Sequence, residues 1–95
     1  MNTILIGYDI HAPAGEAYDR LIADIKGLGA WWHHLETIWI VKCSFTPADI
    51  KHRLLPRIGT DDQLLVVDIS GTTAEWLGIN DAGAKWLTDH VQGQA

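Results

Sequence analysis

The chain has 95 residues, enough for one domain with one hydrophobic core. Twelve acidic residues against seven lysines and arginines give a formal net charge of −5, which counts against tight nucleic-acid binding. No apolar run approaches the ~20 residues of a membrane span, and we expect no signal peptide because no basic segment precedes the first apolar run. A single cysteine, Cys43, excludes an intrachain disulfide, so we expect a cytoplasmic protein.

The first half of the chain alternates strand and helix patterns. Thr3–Asp9 is apolar and rich in β-branched residues, which predicts a buried strand. Ala14–Leu28 carries apolar residues at helical spacing and ends at a pair of glycines, which predicts an amphipathic helix. The aromatic and β-branched run from Trp31 to Cys43 is long for one strand, so we expect two strands joined near Leu35 to Thr37.

The second half begins with strong helix-start signals. Thr46 is a predicted N-cap, Pro47 suits the first helical position and Asp49 completes a capping box, while Pro56 predicts the end of regular helix near Leu54 or Leu55. A strand is predicted over Gln63–Ile69. The pattern of Ala74–Ile79 fits an edge strand or a helical turn, and we favour the strand. A last helix is predicted from Asn80 or Asp81 through Val91.

This order predicts an α+β fold, a ferredoxin-like βαββαβ sandwich with an extra C-terminal strand and helix. We expect one domain over residues 1–92 and a disordered tail over residues 93–95.

Both faces of the predicted sheet are apolar, whereas helices on one side would cover only one face. Something must cover the other face, and a second subunit is the simplest cover. The alternative is that the segment from Trp76 to Val91 folds back over it. On the homodimer interpretation we expect Leu5, Gly7, Leu64 and Val66 at the dimer interface.

The acidic end of the first strand is the leading candidate for chemistry. Asp9 can hold a hard cation such as Mg²⁺, and two copies related by a dimer axis make a better site than one. The alternative is a solvated strand-end aspartate that caps the following turn. Asp61 and Asp62 are more typical of a turn, and the sequence leaves open whether Asp68 approaches Asp9.

Candidate nucleic-acid contacts are few. Lys51 and Arg53 lie on the predicted second helix and Arg57 follows it, and His33 follows two tryptophans in a pattern able to stack on a base. The alternative is that the tryptophans belong to the core or an interface and the imidazole is solvated. Cys43 is interpreted as a small buried hydrophobic residue.

The N-terminal run Ile6-Gly7-Tyr8-Asp9-Ile10 is similar to the opening of the small ferredoxin-fold, endonuclease-like subunit of CRISPR adaptation. The runs 31–41, 61–69 and 76–78 look closer to small bacterial and phage proteins labelled SinR-like, which resemble distant relatives of that subunit. The resemblance implies a homodimer whose sheets pack face to face. It also implies that Asp9 matches the acid that meets its symmetry mate at a divalent cation.

Two functional hypotheses follow. The first is a dimeric, nucleic-acid-associated protein resembling a metal-dependent endonuclease, with Asp9 as catalytic and metal-binding residue and Mg²⁺ as cofactor. The second is a non-catalytic dimerisation or protein-interaction module in which Asp9 is vestigial.

Overall fold

The computed structural model describes residues 1–11 and 15–91. These residues form an α+β domain with a four-stranded antiparallel sheet and three α-helices. In chain order the elements are β1 (Asn2–Asp9), α1 (Glu16–Lys26), β2 (Ala30–Leu35), β3 (Ile38–Cys43), α2 (Pro47–Leu54), β4 (Gln63–Asp68) and α3 (Asp81–His90). One turn of 3-10 helix, Leu55–Arg57, follows α2.

Local signals locate most of these elements. The Thr46 side chain accepts from the Asp49 N–H while the Asp49 carboxylate accepts from the Thr46 N–H, so the predicted capping box is confirmed. A two-residue turn separates β2 from β3, which confirms the expected division of the run from Trp31 to Cys43. The predicted start of α1 at Ala14 and the predicted tail over residues 93–95 lie outside the described residues.

The strands lie side by side in the order β2-β3-β1-β4, and every neighbouring pair is antiparallel. The outer strands of the sheet are therefore β2 and β4. In the β1–β4 pair, Leu5 lies opposite Val67, Gly7 opposite Leu65 and Asp9 opposite Gln63.

One side of the sheet, here called the helix face, packs against α1 and α2. It carries Ile4, Ile6 and Tyr8 from β1, as the alternation in the first strand predicts. These side chains form the main core with buried residues of both helices, of the turn after α1 and of β3: Leu21, Ile25, Leu28, Trp39, Val41, Cys43, Ile50 and Leu54. Burial of these apolar side chains is the principal stabilising contribution to the domain.

The opposite side of the sheet, here called the second face, carries Leu5, Gly7 and Asp9 from β1. Its β2–β3 half is covered by the C-terminal segment, residues 69–91. Trp32 and Ile40 from the sheet form a second buried cluster with Leu87 and Val91. The chain's own C-terminal segment thus covers part of this face. This was the alternative to cover by a second subunit.

The predicted strand over Ala74–Ile79 is wrong, because these residues form neither strand nor helix. They cross above the second face instead of joining a sheet edge. Trp76 and Ile79 are partly buried against the cluster of Trp32 and Ile40, so their apolar character serves packing onto the sheet. Gly78 adopts a φ of +78°, which breaks an extended run.

α3 approaches the sheet closely at Gly83. A Cβ added there would lie 2.8 Å from Cγ2 of Ile79 and 2.9 Å from Cδ2 of His34. The Gly83 carbonyl accepts a hydrogen bond from Nε1 of Trp32 at 3.0 Å, and its N–H donates to the Asn80 side chain, the N-cap of α3. Glycine at this position therefore sets the depth at which the last helix docks.

Candidate functional site

Asp9 is the last residue of β1 and is exposed, as the strand pattern predicts. Its register partner is Gln63. Within residues 1–11 and 15–91 no group of three or more His, Cys, Asp or Glu side chains is arranged to hold a metal ion. One Asp9 carboxylate is a single ligand of the six that Mg²⁺ takes, so the described residues of one chain do not form a magnesium site around it.

The other acidic residues near strands have structural roles. Asp68 lies opposite Ile4 on β1, five residues along β4 from the partner of Asp9, so the two acids do not meet. Asp62 Oδ1 accepts from the backbone N–H of His11 and Oδ2 accepts from that of Gly59, each at 2.8 Å. These hydrogen bonds hold the pKa of Asp62 below its ordinary value, because they stabilise the ionised carboxylate. Asp62 therefore ties the loop before β4 to the end of β1.

The basic residues lie in the helical layer and Asp9 lies on the second face. The Arg53 guanidinium sits 4.0 Å above the Phe45 ring centroid, and Nε of Arg57 pairs with the Asp24 carboxylate at 2.9 Å. Lys51 is exposed on α2. The fold thus separates the proposed catalytic acid from the proposed phosphate contacts.

The aromatic run on β2 also divides between the two faces. Trp32 is buried under the C-terminal segment, whereas Trp31 is 43% exposed on the other side with the Lys26 ammonium 4.9 Å from its ring centroid. The His33 ring stacks on Trp39 at 3.7 Å, and its Nε2 donates to the Glu36 carbonyl at 3.0 Å. His33 therefore has structural contacts on a ring face and an edge, and Trp31 is the more available stacking surface.

A hydrogen-bonded aromatic group lies inside the helix face. The Tyr8 hydroxyl is 3.1 Å from the Tyr18 hydroxyl and accepts a hydrogen bond from Nε1 of Trp39 at 3.1 Å. Burial and the Tyr18 contact raise the pKa of Tyr8 to about 12. Cys43 is buried, as its position in an apolar strand predicts.

One apolar surface without a role in the single chain is the uncovered half of the second face. Leu65 is 60% exposed and Val67 is 38% exposed, and they lie directly beside Gly7 and Leu5. We call these four residues the apolar strip. An open groove of about 390 Å³ continues from Leu5 under the C-terminal segment, lined by apolar side chains including Trp32 and Trp76.

The register places the four residues expected at a dimer interface on two different faces of the sheet. Leu64 and Val66 share the side of the sheet that carries Tyr8 and Ile6, so they pack partly buried against the main core. They cannot lie on one surface with Leu5 and Gly7, because adjacent strand residues point to opposite faces. The residues that sequence reasoning missed are Leu65 and Val67, and their alternation with Leu64 and Val66 was the available signal.

β4 has only β1 beside it among the described strands, so its outer edge is open. A second groove of about 300 Å³ runs along the helix side of this edge, between α2 and β4. It is lined by apolar side chains, including the exposed Leu55, and by one charged residue, Lys51. The β4 strand therefore has accessible apolar surface on both of its sides.

Comparison of this chain with protein-family models, with curated proteins and with solved structures finds no match. Among the described residues, no helix has the length and apolar character needed to cross a membrane.

Proposed function

We propose that this chain is a homodimeric interaction module, cytoplasmic and built on a ferredoxin-like fold. The βαββαβ order and the sheet order β2-β3-β1-β4, in which each strand-helix-strand unit spans one intervening strand, support the fold assignment. The single buried cysteine is compatible with a reducing compartment.

The observation that carries this function is the uncovered β4 side of the sheet. The C-terminal segment covers the second face at Trp32 and Ile40 but leaves Leu65 and Val67 exposed on a strand with an open edge. Natural proteins protect such edges with charges, prolines or covering segments, and the Gln63–Asp68 strand has no lysine or proline and carries one charge, Asp68, at its last residue. A second copy of the chain that pairs with this strand satisfies the open edge and partly buries Leu65 and Val67 beside their counterparts.

The test is the oligomeric state of purified protein by sedimentation equilibrium. We expect a reversible dimer that Leu65→Glu weakens at least about tenfold, because the change puts a charge at the contact. Leu77→Glu is the matched control, since Leu77 is 97% exposed outside the apolar strip. A protein that stays monomeric at high micromolar to millimolar concentration would overturn the proposed function.

A metal-dependent phosphodiesterase is the second candidate, and one observation favours it. Asp9 is exposed on the same face as the apolar strip, so dimers that pack second face against second face bring two carboxylates towards each other. In that arrangement Mg²⁺ would supply an activated water and neutralise charge on phosphate. Lys51, Arg53 and Arg57 face away and would have to act from another surface.

This candidate has its own test. If it holds, protein with Mg²⁺ or Mn²⁺ cleaves short RNA or DNA, and Asp9→Asn abolishes cleavage without changing the dimer fraction. Asp61→Asn, a neighbouring exposed acid, serves as control and leaves cleavage unchanged. Absence of cleavage, or cleavage that survives Asp9→Asn, removes the phosphodiesterase and leaves the interaction module.

A further inference from the structure

We infer that the partner on the β4 edge is β4 of a second copy, paired antiparallel around a two-fold axis at Val66 to give one continuous eight-stranded sheet. The inference rests on the proposed homodimeric function and specifies the surface that forms the dimer.

The backbone groups at the edge have a fixed alternation. The Ile69 N–H donates to the Thr3 carbonyl at 2.8 Å, so Ile69 points its backbone groups towards β1. In an antiparallel pair these groups alternate along the strand. Leu64, Val66 and Asp68 therefore point their N–H and C=O groups outwards, away from β1.

Self-pairing around Val66 matches all of these outward groups. In that register Val66 lies opposite Val66 of the second copy, and Leu64 lies opposite Asp68 of the second copy. These are the hydrogen-bonded positions, because outward-pointing residues then face one another. On the second face, Leu65 lies beside Val67 of the other copy, at the distance where cross-strand apolar pairs stabilise a sheet.

Complementary charges on the two copies favour the same antiparallel pairing. Asp68 lies on the helix side of β4, so in the paired sheet it reaches the groove between α2 and β4 of the other copy, opposite Leu64. Lys51 is the charged residue of that groove, and none of the ion pairs among the described residues involves it. The Ser70 hydroxyl and N–H keep the pKa of Asp68 below its ordinary value, so the carboxylate is ionised at neutral pH. Each dimer thus contains two symmetric Lys51–Asp68 contacts.

Edge pairing has a consequence for Asp9. The two β1 strands are separated by both β4 strands, and the Asp9 residues lie towards opposite ends of the paired strands. Strand spacing and rise put their α-carbons more than about 20 Å apart. This dimer therefore forms no shared carboxylate site, which distinguishes it from the face-to-face dimer of the phosphodiesterase candidate.

Charge exchange in the full chain tests the inference. Lys51→Glu and Asp68→Lys are each expected to raise the dimer dissociation constant by about three- to tenfold in low salt, and the double variant to restore it to within about threefold of wild type. Arg53→Glu makes the same charge change on α2, with the guanidinium over Phe45 and outside the groove. It is expected to leave the dissociation constant within about twofold of wild type.

Amide hydrogen exchange supplies a readout of the backbone pairing. Exchange at Val66 should slow as protein concentration rises, whereas Val67, whose N–H points towards β1, should be protected in monomer and dimer alike. A monomer at all concentrations overturns the proposed function together with this inference. A dimer in which Val66 exchanges freely, or in which the double variant is no better than the single ones, overturns the edge pairing alone.

Discussion

The two halves of the second face contrast in how they meet solvent. On the β2–β3 half, the side chains of Trp32 and Ile40 are buried beneath α3 and the segment before it. On the β4 half, Leu65 and Val67 have similar apolar character but remain 60% and 38% exposed. The same kind of strand surface is thus core in one half and exposed in the other. What differs is the reach of the C-terminal segment, which docks at Gly83 against β2.

Truncating one apolar side chain on each half of the second face should give the largest difference in unfolding free energy. Trp32→Ala removes a buried indole and its hydrogen bond to Gly83, so we expect a loss of about 3–5 kcal/mol of unfolding free energy. Leu65→Ala, measured at a concentration where the protein is monomeric, should change the unfolding free energy by less than about 1 kcal/mol, because the side chain is already largely solvated. Urea denaturation measures both. Equal losses would contradict the division into a covered and an uncovered half.

Gly83→Ala tests the docking of α3 with a smaller change. Alanine favours helix by up to about 1 kcal/mol, but the added methyl overlaps Ile79 and His34, so we expect a net loss of about 1–2 kcal/mol. Gly27→Ala at the end of α1 is the matched control, because its nearest contact is an ordinary 3.5 Å. It should be neutral or slightly stabilising. Faster amide exchange confined to α3 in Gly83→Ala would locate the effect, and a stabilised Gly83→Ala would contradict it.

The sequence predicts the elements that are specified locally. The capping box at Thr46 and Asp49 and the division between β2 and β3 depend on neighbouring residues, so they could be inferred without the fold. Ala74–Ile79 could not, because apolar residues at Trp76 and Ile79 suit an edge strand as well as a segment packed across a sheet.

The candidate site depends on the register between strands that are distant in sequence, so only part of it could be predicted from the sequence. Asp9 was placed correctly at an exposed strand end, since its position follows from β1 alone. Which face Leu64 and Val66 share with β1 could not be inferred in this way, because both alternating sets in β4 are apolar and only pairing with β1 distinguishes them. The separation of Asp9 from Lys51, Arg53 and Arg57 likewise needs the sheet and helix layers.

The stability that the helix face contributes should decrease at alkaline pH, because of Tyr8. The pKa of Tyr8 is raised to about 12 in the folded protein, against an ordinary value of 10.0. The unfolded chain therefore loses this proton first, and the Tyr8 contribution to stability, complete below about pH 10, declines as the pH rises towards about 12. Tyr8→Phe should reduce this decline, measured by urea denaturation at about pH 9 and about pH 11. An unchanged slope would contradict the assignment to Tyr8.

The smallest effect is expected at the loop that joins β1 to β4. Asp62→Asn keeps one acceptor oxygen where the carboxylate has two, so either the His11 or the Gly59 hydrogen bond is lost. The pKa of Asp62 in the folded protein lies below the ordinary 3.8. The contribution of its carboxylate to folding stability is therefore present above pH 3.8 and disappears as the pH falls through the folded pKa. Urea midpoints of wild type and Asp62→Asn should therefore differ at neutral pH and converge in acid. Asp61→Asn removes the adjacent exposed acid, and its urea midpoint should match that of wild type throughout. A midpoint lowered as much as that of Asp62→Asn would show that the charge of the loop matters more than these two hydrogen bonds.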